Sequence, residues 1–250
     1  MFSGGITSWA AGKRTVERYG ADNLYLLFAD VRNEDEDLYR FLKAAAPNVG
    51  GTLVVLTEGR DVWEVFFDER FLGNHRIDPC SRILKREMLD GWLKANCDPD
   101  DTLVTMGFNW LEEARLKRMQ RYGGWNRWAP LQEKPYLDND QIIAWLRREG
   151  IEPPRLYEMG FQHNNCGGAC VKAGQAAWRH LYRNIPERFK EWEDNEQRFR
   201  EFIGKDVSIL DERKGGVRKT LTLKAFRERL ENTGQYELDW GSCGCFQVAE

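Results

Sequence analysis

Two groups of residues in this 250-residue sequence have the types and spacing to do chemistry. The first is Ser3-Gly4-Gly5-Ile6-Thr7-Ser8, where two adjacent glycines sit among three hydroxyl side chains. Glycines let backbone N–H groups turn toward an anion with no Cβ in the way. A helical pattern starts at once behind them, and a helix start adds unsatisfied donors and the positive end of a dipole. Ser3, Gly4, Gly5, Thr7 and Ser8 are therefore candidates to cradle phosphate.

The second group is cysteine. Six occur, at 80, 97, 166, 170, 243 and 245. Cys166 and Cys170 enclose two glycines, and Cys243 and Cys245 lie one residue apart in another glycine-rich turn. Four thiolates suit zinc or an iron–sulfur cluster, and neither spacing is diagnostic of one metal. A structural zinc on Cys166, Cys170, Cys243 and Cys245 is one arrangement; unliganded thiols are the alternative. Cys97 reads as a half-buried thiol. His163, three residues before Cys166, has the chemistry of a ligand, an acid–base group or a donor to sulfur.

The elements that would position these groups alternate between strand and helix. Thr7 to Tyr19 reads as a helix stopped by Gly20. Leu24–Ala29 and Thr52–Leu56 read as buried strands, Leu38–Ala46 as a helix closed by Pro47, and Val62–Phe67 as a short helix. Pro79 opens the amphipathic stretch Ile83–Ala95. Thr102–Met106 is a third strand ending at Gly107, and Leu111–Arg121 a basic helix. The region Gly123–Pro130 reads as an aromatic loop. Asp138 caps a helix to Glu149. Residues 169–184 and 186–203 read as helices. A Val207–Leu210 strand, a basic turn at Arg213–Lys219, a helix near 224–231 and the tail cysteines complete the chain.

This pattern predicts an α/β fold, a Rossmann-like mostly parallel sheet flanked by helices, with a C-terminal helical extension and a cysteine-containing tail. In such sheets the ligand lies beyond the carboxyl ends of the strands, where Asp30, the Gly107 loop and residues 3–8 should fall. Asp30 suits a ribose hydroxyl or a metal there, or merely caps the loop after its strand. Arg115, Lys117, Arg118 and Arg121 put a basic stripe on one helix, and arginine forks match phosphate or sulfate.

The order of motifs resembles the adenine nucleotide α-hydrolase superfamily, the PP-loop ATP pyrophosphatases, and within it the phosphoadenosine phosphosulfate (PAPS) reductase family. The resemblance rests on Ser3–Ser8, Pro135-Tyr136-Leu137, Ile142–Leu146, Ile151–Pro154, Leu156-Tyr157-Glu158-Met159-Gly160-Phe161 and Cys166–Cys170, and spans roughly residues 1–185. Pro79–Lys85 falls where the family has cysteine followed by lysine, and Gly107–Arg118 where it has an arginine-rich anion site. The resemblance implies cofactor-binding roles for Ser3, Gly4, Gly5, Thr7, Ser8, Asp30, Arg115 and Arg118, and a catalytic role for Lys85. It also makes Cys80 a cluster ligand. The preferred arrangement is then a [4Fe–4S] cluster on Cys80, Cys166, Cys170 and Cys243, with Cys245, or Cys243 in its place, as the reactive thiol.

The implied function is an adenine-nucleotide-binding enzyme of sulfur metabolism that reduces a sulfonucleotide by thiol chemistry. An ATP pyrophosphatase that adenylates tRNA or DNA for sulfur insertion is the alternative. A non-catalytic accessory protein binding nucleic acid or a partner is a third reading. Expected partners are an adenine nucleotide, with or without magnesium, and a thiol electron donor or sulfur-donor protein. Departures from the family pattern stand at Thr7, where many such loops carry aspartate able to order magnesium, and at the tail Cys243-Gly244-Cys245. A loop of this kind ordinarily leaves the end of a central strand, and only Met1 and Phe2 precede Ser3. The expectation is that residues further upstream, or another segment, fill that slot. Residues 1–135 are expected as the nucleotide-binding core, 136–204 as a helical part completing the site, and 205–250 as the tail. A net charge of −3 gives no reason to expect non-specific nucleic-acid binding. No stretch reaches the ~18 apolar residues of a membrane span, and no basic-then-apolar leader pattern opens the sequence. A cytoplasmic protein is expected.

Overall fold

The computed structural model describes residues 1–121, 124–214 and 217–233. Cys243 and Cys245 lie outside the described residues. Helix α1 (Ile6–Tyr19) leads to strand β1 (Tyr25–Asp30), helix α2 (Glu36–Val49) and strand β2 (Thr52–Thr57). β1 and β2 pair in parallel from Tyr25–Thr52 to Asp30–Thr57. Leu26 to Ala29 are buried on both faces, which is why the strand reads as an unbroken apolar run. α3 (Val62–Asp68) starts at a capping box of Asp61 and Glu64.

The next helical stretch is composite: α4 (Pro79–Ser81), a wide-turn segment Arg82–Glu87, and α5 (Met88–Asn96). Strand β3 (Leu103–Thr105) follows, then a single turn Trp110–Glu112, α6 (Glu113–Gln120) and β4 (Asn126–Trp128), which pairs in parallel with β3. The two parallel pairs are joined through the first residues of the chain: Phe2 N donates to Leu27 O at 2.7 Å, and Met1 N to Thr105 O at 2.9 Å. Two residues thus occupy the place expected for a central strand, and the Ser3–Gly5 turn leaves directly from them into α1.

α7 (Asn139–Arg148), the short α8 (Arg155–Glu158), α9 (Gln175–Asn184), α10 (Pro186–Ile203), an antiparallel hairpin of β5 (Leu210–Lys214) and β6 (Val217–Leu221), and α11 (Leu223–Thr233) complete the described fold. One core buries Phe2, Ile6, Trp9, Leu38, Phe41, Ile142 and Leu146, so α7 closes over α1 and α2. A second joins Trp63, Phe66, Trp178, Phe189, Trp192, Phe199 and Phe226. A third lies under β1, β3 and α5, around Leu27, Leu89, Val104, Met106 and Trp125. The first two cores both mix residues from before and after position 135. No described helix is long and apolar enough to cross a membrane.

The structure corrects several local expectations. α2 runs through Pro47 to Val49 and closes on Gly50 (φ 94°). Pro47 lies in the last turn, where the helix forgoes one ladder bond and ends within three residues. The helix expected over 169–184 begins at Gln175, because a turn closes from Ala173 N to Cys170 O and Gly174 is extended (ψ 176°) as the N-cap. The segment read as a strand at 207–210 and a basic turn is the β5–β6 hairpin. β4 lies in what reads as an aromatic loop.

Candidate functional site

The N-terminal turn is built to leave donors open. Gly5 caps α1 with no side-chain hydrogen bond, and no acidic residue occupies the first helical turn. The Ser8 hydroxyl is buried and donates to Gly5 O at 2.7 Å, which fixes the loop onto the helix. Gly4 has φ 75°, and a Cβ there would lie 2.8 Å from Leu38 Cγ. The loop therefore requires glycine on both conformational and steric grounds.

This turn forms one end of a cavity of about 410 Å³. Ser3, Gly5, Thr7 and Ser8 line that end. Leu27, Phe28, Leu89, Met106 and Phe108 supply apolar wall, and Lys85 and Arg115 supply cations. A third side is rich in amides, with Asn109, Asn139, Gln162, Asn164 and Asn165, beside Tyr157 and His163. A cavity lined by apolar side chains, amides, helix-terminus donors and two cations suits a polar, anionic ligand better than an apolar one.

The cations are held in place. Arg115 pairs with Glu112, and its guanidinium lies 4.5 Å from the Phe108 ring centroid. Lys85 Nζ donates to the buried Glu34 at 3.2 Å, with only 12% of the lysine side chain exposed. Arg118 points elsewhere: it is exposed and does not line the cavity. Asp30 also lies off the cavity lining. Its Oδ1 accepts from Arg32 N and from the Tyr39 hydroxyl, each at 2.8 Å. Burial first, and the Asp30 carboxylate second, push the Tyr39 phenol well above its ordinary pKa. Gly4 sits behind the loop, its carbonyl accepting from Asn164 Nδ2 at 3.0 Å. Among the described residues Asn164 Oδ1 has no partner, although Asn164 is only 2% exposed.

A second, much smaller cavity of about 20 Å³ brings together Cys80, Cys166 and Cys170 with Val31, Val62 and Trp192. Lys85 lines this cavity as well as the large one. Asp78 and Lys172 also reach it and pair at 3.7 Å, both nearly fully buried. Cys97 lies in the third core, away from both. Among the described residues, no three or more His, Cys, Asp or Glu side chains are grouped closely enough to hold a metal ion.

Cys166 itself is strained, at φ 50°. A non-glycine residue in the left-handed region costs roughly 1–2 kcal/mol. The peptide is held from both sides: its N–H donates to Glu34 Oε2 at 2.5 Å, and its carbonyl accepts from Arg188 Nη2 at 3.1 Å. Arg188 also donates to Asn33 O at 2.5 Å and packs against Gly167, where a Cβ would lie 2.5 Å from its Cζ.

Ser3, Gly5, Thr7, Ser8, Lys85 and Arg115, all candidates by residue type and place in the sequence, line one cavity. Glu34, Arg188 and Asn164 carry no such signal. Glu34 stands inside an acidic loop and Asn164 inside an Asn-Asn pair, so neither is set apart by spacing. The basic residues of the hairpin are partly neutralised, with Arg218 paired to Asp211 and Arg229 of α11 to Glu212.

No protein family model and no curated protein matches the chain. Among solved structures, it is similar to the crystal structure of phosphoadenylyl-sulfate (PAPS) reductase from Candida auris in its phosphate complex. The TM-score is 0.45 and the identity 15%, over 64% of this chain and 78% of that chain.

Proposed function

We propose that the large cavity binds an adenine nucleotide bearing a terminal phosphate or sulfate, and that the chain is a PAPS reductase-like enzyme acting on a sulfonucleotide. The observation that carries this reading is that the uncapped α1 terminus, the Ser3 and Thr7 hydroxyls, Lys85 and Arg115 all line one cavity together with an apolar wall. The apolar wall suits a base, and the cations suit the charge at the other end.

In the reaction this reading implies, a cysteine thiolate attacks the sulfate sulfur. An S–S bond forms, the bond from sulfur to the bridging oxygen breaks, and the nucleotide phosphate leaves with the electron pair. A second thiolate then displaces sulfite from the S-sulfocysteine and leaves a disulfide, which an external dithiol partner reduces. Lys85 and Arg115 hold the departing phosphate and stabilise its growing charge. Cys245, or Cys243 in its place, is the candidate attacking thiol, and the second thiolate comes from the dithiol partner. Magnesium has a weaker case, because Thr7 replaces a carboxylate and Asp30 does not line the cavity.

Cys80, Cys166 and Cys170 line one small cavity, but as placed they are not grouped closely enough to hold a metal ion, so no step of the reaction is routed through a [4Fe–4S] cluster or a zinc ion.

The test is product release by the anaerobically purified protein with a dithiol donor. The reading expects sulfite from PAPS or from adenylyl sulfate. Pyrophosphate from ATP, with no sulfite from either sulfonucleotide, would overturn it in favour of an ATP pyrophosphatase.

A further inference from the structure

We propose that a polar cavity beside the C-terminal hairpin is a second anion site, suited to inorganic phosphate in its hydrogenphosphate form. The cavity is about 370 Å³ and shares no lining residue with the large one. Arg76 lines it from the loop before α4, Lys172, Gly174 and Gln175 from the start of α9, and Asp211 and Arg213 from β5.

Among the described residues, the guanidiniums of Arg76, Arg213 and Arg218 gather here with too little negative charge. Arg213 stands directly across the β5–β6 ladder from Arg218, and like charges so placed repel. Burial first, and the nearby Arg76 charge second, lower the Arg218 pKa. Asp211 pairs with Arg218, and Glu212 on the same wall pairs with Arg229. The Arg76 and Arg213 guanidiniums have no hydrogen bond or ion pair among the described residues. Lys172 is a fourth cation, with 4% of its side chain exposed. It pairs with Asp78 at 3.7 Å and donates to Arg76 O at 3.3 Å, which fixes the backbone that carries Arg76. A tetrahedral oxyanion between the arginines relieves their repulsion, and guanidinium forks match its geometry. α9 opens at Gly174 with no side-chain cap and no acidic residue in its first turn, which adds N–H donors to a site the cations already define.

Gln175 selects among oxyanions. Its Nε2 donates to Asp211 O at 2.8 Å, which sets the orientation of the amide and leaves Oε1 buried with no partner among the described residues. A buried acceptor calls for a donor. Hydrogenphosphate carries a P–OH at neutral pH, whereas sulfate carries no proton to give.

The experiment is an amide-resolved NMR titration of the full-length protein with inorganic phosphate and, separately, with sulfate, at an ionic strength held constant with chloride. The amides of Gly174, Gln175 and Ala176 report this cavity, and those of Gly5 and Ile6 report the large one. Saturable phosphate shifts at the first set are expected, with sulfate bound about tenfold or more weakly. Arg76→Ala and Arg213→Ala, both at exposed positions, should each weaken phosphate binding about tenfold or more. Phosphate shifts that never saturate, or that are confined to Gly5 and Ile6, overturn the site, and the wild-type titration decides this even if a variant fails to fold. An affinity unchanged in both arginine variants overturns the role of the guanidiniums. Sulfate bound as tightly as phosphate overturns the assignment to hydrogenphosphate.

Discussion

Gly107 and Ser8 touch through their backbones: a Cβ on Gly107 would lie 2.9 Å from Ser8 Cα and 3.0 Å from Ser8 N. The strand end that carries Gly107 therefore sets where the first turn of α1, and its open N–H groups, can sit. Gly107→Ala pushes backbone against backbone, which cannot yield by a side-chain rotation. Overpacking of this kind costs about 1–3 kcal/mol. The variant should lose that much in chemical denaturation and bind nucleotide more weakly in calorimetry, while a wild-type affinity would show that this contact does not position the turn.

Lys85 and Arg115 should separate cleanly from Arg118. Hydrogen bonds to charged groups contribute about 1.5–3 kcal/mol, so Lys85→Ala and Arg115→Ala should each weaken nucleotide binding on the order of 10- to 100-fold. Lys85→Ala should also lower the melting temperature, because it leaves Glu34 buried without its cation. Arg118→Ala, on an exposed face, should leave affinity within about threefold of wild type, as surface substitutions do. Equal losses at all three positions would mean that binding follows overall charge and not the cavity.

Asn164 offers a buried acceptor with no partner among the described residues, at the edge of the cavity. A ligand hydroxyl or amino group is the expected donor. Asn164→Ala should weaken nucleotide binding by about 1–3 kcal/mol, the penalty for leaving a buried polar group unmet. Calorimetry checks this, and an unchanged dissociation constant would show that Oδ1 does not face the ligand.

Glu196 ties the C-terminal hairpin to α10. Its oxygens accept from Ile209 N at 2.9 Å and from Leu223 N at 2.6 Å, and it is 1% exposed. Burial pushes its carboxyl up to about 7, against the opposing pull of the two N–H donors and Arg200. An unfolded glutamate titrates near ~4.3. The folded state thus holds the proton more tightly, and the stability this group contributes is full below ~4.3 and lost as pH rises toward 7 and above. Glu196→Gln should flatten that part of the stability–pH curve and, by turning an amide donor toward a backbone N–H, destabilise by about 1–3 kcal/mol. Urea unfolding from pH 5 to 8 measures both.

What could be read in advance follows from which forces act locally. α1 shows a 3.6-residue apolar period and a terminal glycine, and β1 an apolar run ending at Asp30; both were legible. The capping box at Asp138 and Gln141 likewise marks the start of α7. β4 was not legible, because Asn126-Arg127-Trp128 is short and polar and becomes a strand only by pairing with β3. The hairpin was missed for the same reason, its alternation masked by charge. In the site, residues with distinctive chemistry announced themselves: the Ser3–Ser8 loop, Lys85 after Cys80, and the paired cysteines. Glu34 and Arg188 did not. They lie 154 positions apart in the sequence, and both hold the peptide of Cys166, whose left-handed backbone no residue type betrays.

Calorimetric titration of the folded protein with PAPS, adenylyl sulfate and ATP tests most directly whether the large cavity is a nucleotide-phosphate site. Saturable binding of at least one sulfonucleotide, weakened by Lys85→Ala and Arg115→Ala and not by Arg118→Ala, is the predicted result. Heat-silent titrations with all three ligands, on protein that circular dichroism shows to be folded, would contradict it.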